Sequence, residues 1–284
     1  MKGLAEKLAK KGVRPGIWLR LLLNEDPQIP DEWRLSTNGC LDPSHPDALE
    51  YIRQDIRRIA GWGYELIKHD FTTYDLFGRW GLEMNPQLTD SGWHFYDQSL
   101  TSAEVVKLLY TAIYEAAAEY GSMILGCNTI GHLGAGLMQA ARTGDDTSGY
   151  TWERTRRMGI NALAFRLPQH RTFFDIDADC VGIAGYIPWK MNRQWADVLA
   201  ESGTPLFVSA KPGILNDEEK EELHQIMLKA STQSLHKIPA DWQDTDCPEI
   251  WTDENGRIEY NWYKPEGADL VGNDGRYHLC IPPS

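Results

Sequence analysis

Apolar positions along this chain recur with two periods, and the two alternate. Leu4, Leu8 and Val13 flank a basic helix face that Gly12 closes. Arg14-Pro15-Gly16-Ile17-Trp18-Leu19-Arg20-Leu21-Leu22-Leu23 reads as a buried strand, on which Trp18 and Arg20 share a face. Residues 24–40 are loop, rich in Pro, Asp and Asn. Ser44 with Pro46 and Asp47 starts a helix, Ser44 reading as its N-cap. Leu49, Ile52, Ile56 and Ile59 form its stripe, and Gly61 stops it. Then comes Tyr64-Glu65-Leu66-Ile67-Lys68-His69-Asp70-Phe71, a short strand whose end turns from apolar to charged. Residues 72–100 read as a long loop holding Tyr74, Phe77, Trp80, Trp93, Phe95 and Tyr96, an aromatic wall over a binding pocket.

Residues 101–120 predict a helix stopped by Gly121, followed by the strand Met123-Ile124-Leu125-Gly126-Cys127. The small, apolar stretch 131–141 leads to Arg142-Thr143-Gly144-Asp145-Asp146, a second charged element end. Residues 151–165 are helical, 172–183 read as one strand with an acidic centre, and 192–201 are helical up to Gly203. Residues 205–209 are a last buried strand, and Asn216 with Glu219 forms the capping box of a helix ending near Ala230. Beyond it lie loops and short strands with Trp242, Trp251, Trp262 and Tyr263.

Strand and helix thus alternate roughly six times, which predicts an α/β fold with a parallel sheet and right-handed crossovers. The charged strand ends match the active-site rim of a TIM-type (β/α)8 barrel. Residues 1–235 are expected to form this barrel and 236–284 a C-terminal extension beginning a β domain.

Composition narrows the chemistry. With 284 residues and 42% hydrophobic content, the chain can bury a large single core. A formal net charge of -13 argues against a nucleic-acid partner. Eleven Trp give a lean toward sugar, whose rings stack on flat apolar faces, although most Trp serve cores. Cys40, Cys127, Cys180, Cys247 and Cys280 are scattered, indicating neither a zinc site nor a dense disulfide framework. The eight His show no metal-ligand spacing. Asp175-x-Asp177-x-Asp179 fails as an EF-hand because Cys180 and Tyr186 occupy the positions that need Gly and Glu. No metal and no cofactor are expected. No run of apolar residues is long enough to span a membrane. The start, Met1-Lys2-Gly3-Leu4, reads as an amphipathic helix rather than a signal peptide, so the chain as it stands reads as cytoplasmic. A longer parent with a signal upstream of Met1 would be secreted or periplasmic.

The candidate chemistry rests on two constellations. Lys68 and Asp70 are two apart and point to one side of their strand. A cation beside a carboxylate keeps it ionised, as a nucleophile or as half of a strand-end salt bridge. His69 points the other way and reads as structural. Arg142-x-x-x-Asp146 supplies a second carboxylate with a basic neighbour. Two such carboxylates meet the needs of glycoside hydrolysis, one attacking the anomeric carbon and one moving protons. Lys68 is expected to depress the pKa of Asp70, and an acid at Asp146 needs a raised one. Cys127 as a nucleophile has no His and Asn partner pattern to support it.

These pieces, in this order, resemble the clan of retaining α-galactosidases, glycoside hydrolase families 36 and 27. Gly16-Ile17-Trp18 resembles the third-strand motif, Lys68-x-Asp70 the fourth-strand nucleophile motif, and Gly126-Cys127-Asn128 the fifth-strand cysteine. Arg142-x-Gly144-x-Asp146 resembles the R-x-S-x-D acid/base motif, with Gly in place of Ser. Asp175-x-Asp177-x-Asp179 resembles the acidic seventh strand, and Thr204-Pro205-Leu206 the eighth. The resemblance implies Asp70 as nucleophile and Asp146 as general acid/base. It implies Lys68 on sugar hydroxyls, Arg142 on the hydroxyl next to the anomeric carbon, and Cys127 and Trp18 lining the pocket. Arg20, Asn128, Asp175 and Asp177 complete the candidate substrate-binding set.

The family's first two strands have no counterpart here, so the expected barrel is incomplete, with about six β/α units corresponding to strands 3–8. The expected partner is an oligosaccharide or galactoside, with a homo-oligomer left open. Two alternatives stand beside hydrolysis of α-galactosides. One is an inactive truncated barrel that binds carbohydrate, the other an α-N-acetylgalactosaminidase or galactosyl transferase of the same clan.

Overall fold

The strand that ends in Asp70 shows the alternation its sequence demands, with Ile67 and His69 buried and Leu66, Lys68 and Asp70 half-buried. The computed structural model describes residues 1–36, 38–78, 93–232 and 236–263, and the backbone of Ala268–Val271 and His278–Ile281. The chain divides into two units, residues 1–142 with 172–174, and residues 143–171 with 175–284.

The first unit runs α1 (Lys2–Ala9), β1 (Gly16–Arg20), α2 (Pro46–Gly61), β2 (Leu66–Asp70), α3 (Thr72–Phe77), α4 (Ser102–Ala118), β3 (Met123–Gly126) and β4 (Ala140–Arg142). Strands β1 to β4 lie side by side in chain order and all pairs are parallel. Helices α2 and α4 pack on each other and bury their stripes, Leu49, Ile52 and Ile56 on one, Val105, Leu109 and Ile113 on the other. The start of α2 differs from expectation. His45 is the N-cap, its Nδ1 accepting the Asp47 N–H at 3.2 Å. Ser44 turns away, and its hydroxyl accepts the N–H of Asp97 at 3.0 Å. The reason is Asp42, whose carboxylate takes the Ser44 N–H at 2.8 Å and closes the turn one step earlier.

Residues 72–100 are not all loop, because α3 follows Asp70 after a single residue. Phe71 reverses the chain with a left-handed φ of 63°, and Gly78, also left-handed, ends the helix. Phe95 packs edge to face on both Phe77 and Trp93, the latter at 4.7 Å, and Phe77 and Phe95 are buried. Trp80 lies outside the described residues.

The second unit opens with α5 (Trp152–Arg154), a π-helical turn (Thr155–Ile160) and α6 (Asn161–Arg166), where a regular helix was expected. The wide turn seats Gly159 where an added Cβ would meet Trp195 at 2.9 Å and Thr147 at 3.0 Å. The acidic stretch 172–183 is two strands, β5 (Asp175–Asp177) and β6 (Val181–Ile183). Asp179 divides them with a left-handed φ of 79°. Its N–H donates to Asp177 Oδ1 at 2.8 Å, a local bond that competes with a sheet ladder. Helix α7 (Trp189–Ser202) starts three residues before the expected 192 and ends at left-handed Gly203. The last parallel strand, β7 (Val208–Ala210), lies beyond most of the predicted 205–209 and pairs with β6. Helix α8 (Asp217–Ala230) carries the expected Asn216 and Glu219 capping box. Next, β8 (Ile238–Pro239), β9 (Ile250–Asp253) and β10 (Gly256–Glu259) form an antiparallel sheet, and β11 (Ala268–Val271) pairs with β12 (His278–Ile281). Among the described residues, no helix is long and apolar enough to cross a membrane.

Candidate active site

Parallel register builds the first half of the site. Trp18 stands opposite Lys68, and Arg20 opposite Asp70. Lys68 stands opposite Leu125, and Leu125 opposite Ala140. Because side chains alternate, Cys127 and Arg142 continue the row of Leu125 and Ala140. Trp18, Arg20, Lys68, Asp70, Cys127 and Arg142 therefore share one face at the C-terminal strand ends.

Asp70 is the most elaborately held of these. Its Oδ2 accepts the Trp18 indole N–H at 3.0 Å, and its Oδ1 accepts the Phe71 N–H at 2.7 Å. Burial alone would raise its pKa. The Trp18 and Phe71 donors outweigh that, joined by the Cys127 thiol and the Lys68 charge, and hold the carboxyl below its ordinary value. The expected direction is present, but Trp18 and Phe71 contribute more than Lys68. Burial first, then the Asp70 carboxylate, push the Cys127 thiol up to about 12 against the charges of Arg142 and Lys68. A thiol so protonated does not serve as a nucleophile.

Two candidate substrate contacts have local partners. Arg20 forks onto Asp75, Nη2 to Oδ1 at 2.6 Å and Nε to both oxygens at 3.1 Å. Asn128, with a left-handed φ of 51°, accepts the Tyr74 N–H on Oδ1 at 3.0 Å. Its carbonyl accepts the Thr73 N–H at 2.9 Å, so Asn128 holds the first turn of α3. On the opposite face His69 is fully buried, with Nδ1 2.8 Å from the Thr72 hydroxyl. Burial pushes its pKa down to about 4 against the pull of Asp70.

In the second unit Asp146 is exposed on a braced loop. Its N–H donates to Asp145 Oδ1 at 2.8 Å, and Arg154 binds both its carbonyl and the Asp145 carboxylate. Thr147 donates N–H and hydroxyl to Asp179 Oδ2 at 2.6 and 3.0 Å. A Cβ built on Gly144 would run into the Met158 carbonyl and lie 2.8 Å from Ala162. The Ser that the resemblance leads one to expect therefore has no room here. Asp175 lies 3.6 Å from His170, while Asp177 is buried and its carbonyl accepts the Thr143 N–H at 3.0 Å.

Phe71 and Asp75 escaped the reading of the sequence. Nothing in a local pattern marks an aromatic residue as left-handed, and Asp75 falls in a stretch that reads as loop. Elsewhere in the second unit, a cleft of about 720 Å³ is lined by α7, α8 and β10. Its Lys229 pairs with Asp197 at 2.6 Å and its Arg193 with Glu222 at 3.4 Å, so these charges are already satisfied. Among the described residues, no cluster of His, Cys, Asp and Glu has the geometry to hold a metal ion.

Solved structures share this arrangement of elements. The α-galactosidase TtGalA from Thermus thermophilus, in complex with p-nitrophenyl α-D-galactopyranoside, superposes with a TM-score of 0.61 at 18% identity. That match covers 92% of this chain and 54% of the other. The fold is that of the α-galactosidase-like glycoside hydrolases. An isomalto-dextranase from Arthrobacter globiformis T6, complexed with panose, matches with a TM-score of 0.63 at 15% identity, over 88% of this chain and 48% of its own. A GH27 β-L-arabinopyranosidase from Geobacillus stearothermophilus matches at 0.58 and 14% identity, over 81% and 56%. These neighbours are TIM-barrel enzymes. The chain spans about half the length of the solved chains it matches. No protein-family model matches it, and no curated protein is similar to it in sequence.

Proposed function

We propose that this chain carries the catalytic residues of a retaining α-glycosidase acting on α-galactosides. Asp70 attacks the anomeric carbon and forms a glycosyl ester. Asp146 protonates the departing oxygen and then takes a proton from the water that hydrolyses the ester. Lys68 and Arg142 bind sugar hydroxyls, and Trp18 and Cys127 line the pocket. Arg20, Asn128, Asp175 and Asp177 complete the substrate-binding set of this reading. Residues 1–235 form the catalytic part in this reading and 236–284 its extension.

One observation carries the proposal. At a parallel strand end of an α-galactosidase-like fold, Asp70 is half-buried yet held ionised by donors on both oxygens. A nucleophile needs that state, and a strand-end salt bridge needs no indole donor.

The test is hydrolysis of p-nitrophenyl α-galactoside by the purified chain, with the product anomer followed by NMR. Release of α-galactose, lost in Asp70→Asn, is expected. A panel of nitrophenyl glycosides identifies the glycone, and failure to turn over any of them sinks the proposal.

A further inference from the structure

Phe71 adopts a backbone conformation that bulky residues avoid. Its φ of 63° is left-handed, and such a turn persists only where neighbours over-determine it. The neighbours are identifiable. The Arg20 guanidinium lies over the Phe71 ring, 4.4 Å from its centre. Asp75 is fully buried and takes that guanidinium through three hydrogen bonds. The Asp75 N–H also donates to the Phe71 carbonyl at 2.8 Å. Asp75 therefore grips Phe71 twice, once by its backbone and once through Arg20. Asn38 fixes Asp75 in turn, donating to its carbonyl at 2.7 Å. The product of this bracing is a single donor, the Phe71 N–H, placed 2.7 Å from Asp70 Oδ1.

We propose that Arg20 and Asp75 are positioning residues, which clamp Phe71 in its left-handed turn so that its N–H fixes the rotamer of the Asp70 carboxylate. The consequence for catalysis rests on Asp70 being the nucleophile, but the clamp itself does not. The plainer alternative is an ion pair that ties β1 to α3 and leaves Asp70 indifferent. The geometry argues against it. An ion pair needs neither the guanidinium over Phe71 nor a strained residue between Asp70 and the helix.

The test follows the titration of the Asp70 carboxyl by 13C NMR in the full chain, with Asp70→Asn supplying the assignment. Other titratable groups near Asp70 are Lys68, Cys127 and, from the opposite face, His69. Arg20→Lys keeps the charge but loses the fork and the flat stacking surface. The double variant Arg20→Met with Asp75→Asn removes both charges without leaving one buried alone. In each, the Asp70 midpoint is expected to rise by about one pH unit, a tenfold change in proton affinity. The same changes are then made in Phe71→Gly. Glycine adopts the left-handed turn without a clamp, so there they should leave the midpoint where Phe71→Gly alone puts it.

A midpoint unmoved in both variants, with thermal stability lowered, overturns the inference and leaves a structural ion pair. So does a shift of equal size in the Phe71→Gly background, which would be a through-space charge effect. If the double variant does not fold, Arg20→Lys with and without Phe71→Gly decides alone. A separate experiment tests Asp70 as nucleophile, the mass-spectrometric capture of a glycosyl ester on Asp70 with a fluorinated galactosyl fluoride. Its absence from the wild-type chain counts against that reading and leaves the clamp to the titration.

Discussion

The indole nitrogen of Trp18 stands 3.0 Å from Asp70 Oδ2, a donor aimed at a carboxylate from the adjacent strand. A hydrogen bond to a charged group contributes roughly 1.5–3 kcal/mol. Trp18 is 53% exposed, which argues for the lower end. Trp18→Phe keeps the ring and loses the donor. We expect kcat/KM for p-nitrophenyl α-galactoside to fall about tenfold. The acid limb of the pH profile should move to higher pH, since a donor that holds Asp70 ionised is gone. An unchanged acid limb would mean that Trp18 does not act on Asp70.

Gly144 is required by packing. A side chain there meets the Met158 carbonyl and Ala162, both on the π-turn and helix that follow Asp146. Gly144→Ser should destabilise the chain by about 1–3 kcal/mol, the usual effect of overpacking. That corresponds to a drop of several degrees in melting temperature. Calorimetry of the two chains measures it, and an equal melting temperature would contradict the close packing.

Buried His69 makes stability depend on pH. Its pKa is pushed from 6.5 to about 4 in the folded chain. Below pH 6.5 the unfolded chain takes up a proton that the folded chain refuses, so stability falls as pH drops toward 4. Across that whole window the loss is about 3 kcal/mol, at roughly 1.4 kcal/mol per pH unit. Urea denaturation at a series of pH values should show the slope, and His69→Gln should flatten it. An equally steep slope in that variant would assign it to other groups.

Two thiols should resist modification in the native chain. Cys40 and Cys127 are buried, and each is pushed up to about 12, chiefly by burial. Thiolate is the reactive form. A disulfide reagent at pH 8 should leave both unmodified until denaturant is added, as peptide mass spectrometry can read. Rapid native labelling of Cys127 would contradict its place against Asp70.

The sequence by itself determined the elements that local physics sets. The apolar run that turns charged marked β2, the apolar stripe marked α2, and Asn216 with Glu219 marked the start of α8, because each signal lies within a few residues. The charged end of β2 pointed to Asp70 for the same reason. Tertiary structure decided what surrounds that carboxylate. Its indole donor is 52 residues away in the chain, and parallel register across β1 and β2 is not written in either strand alone. Arg20 and Asp75 are 55 residues apart, and only their meeting explains a left-handed Phe71. In each case the deciding bond joins segments whose approach is set by packing, which no local period records.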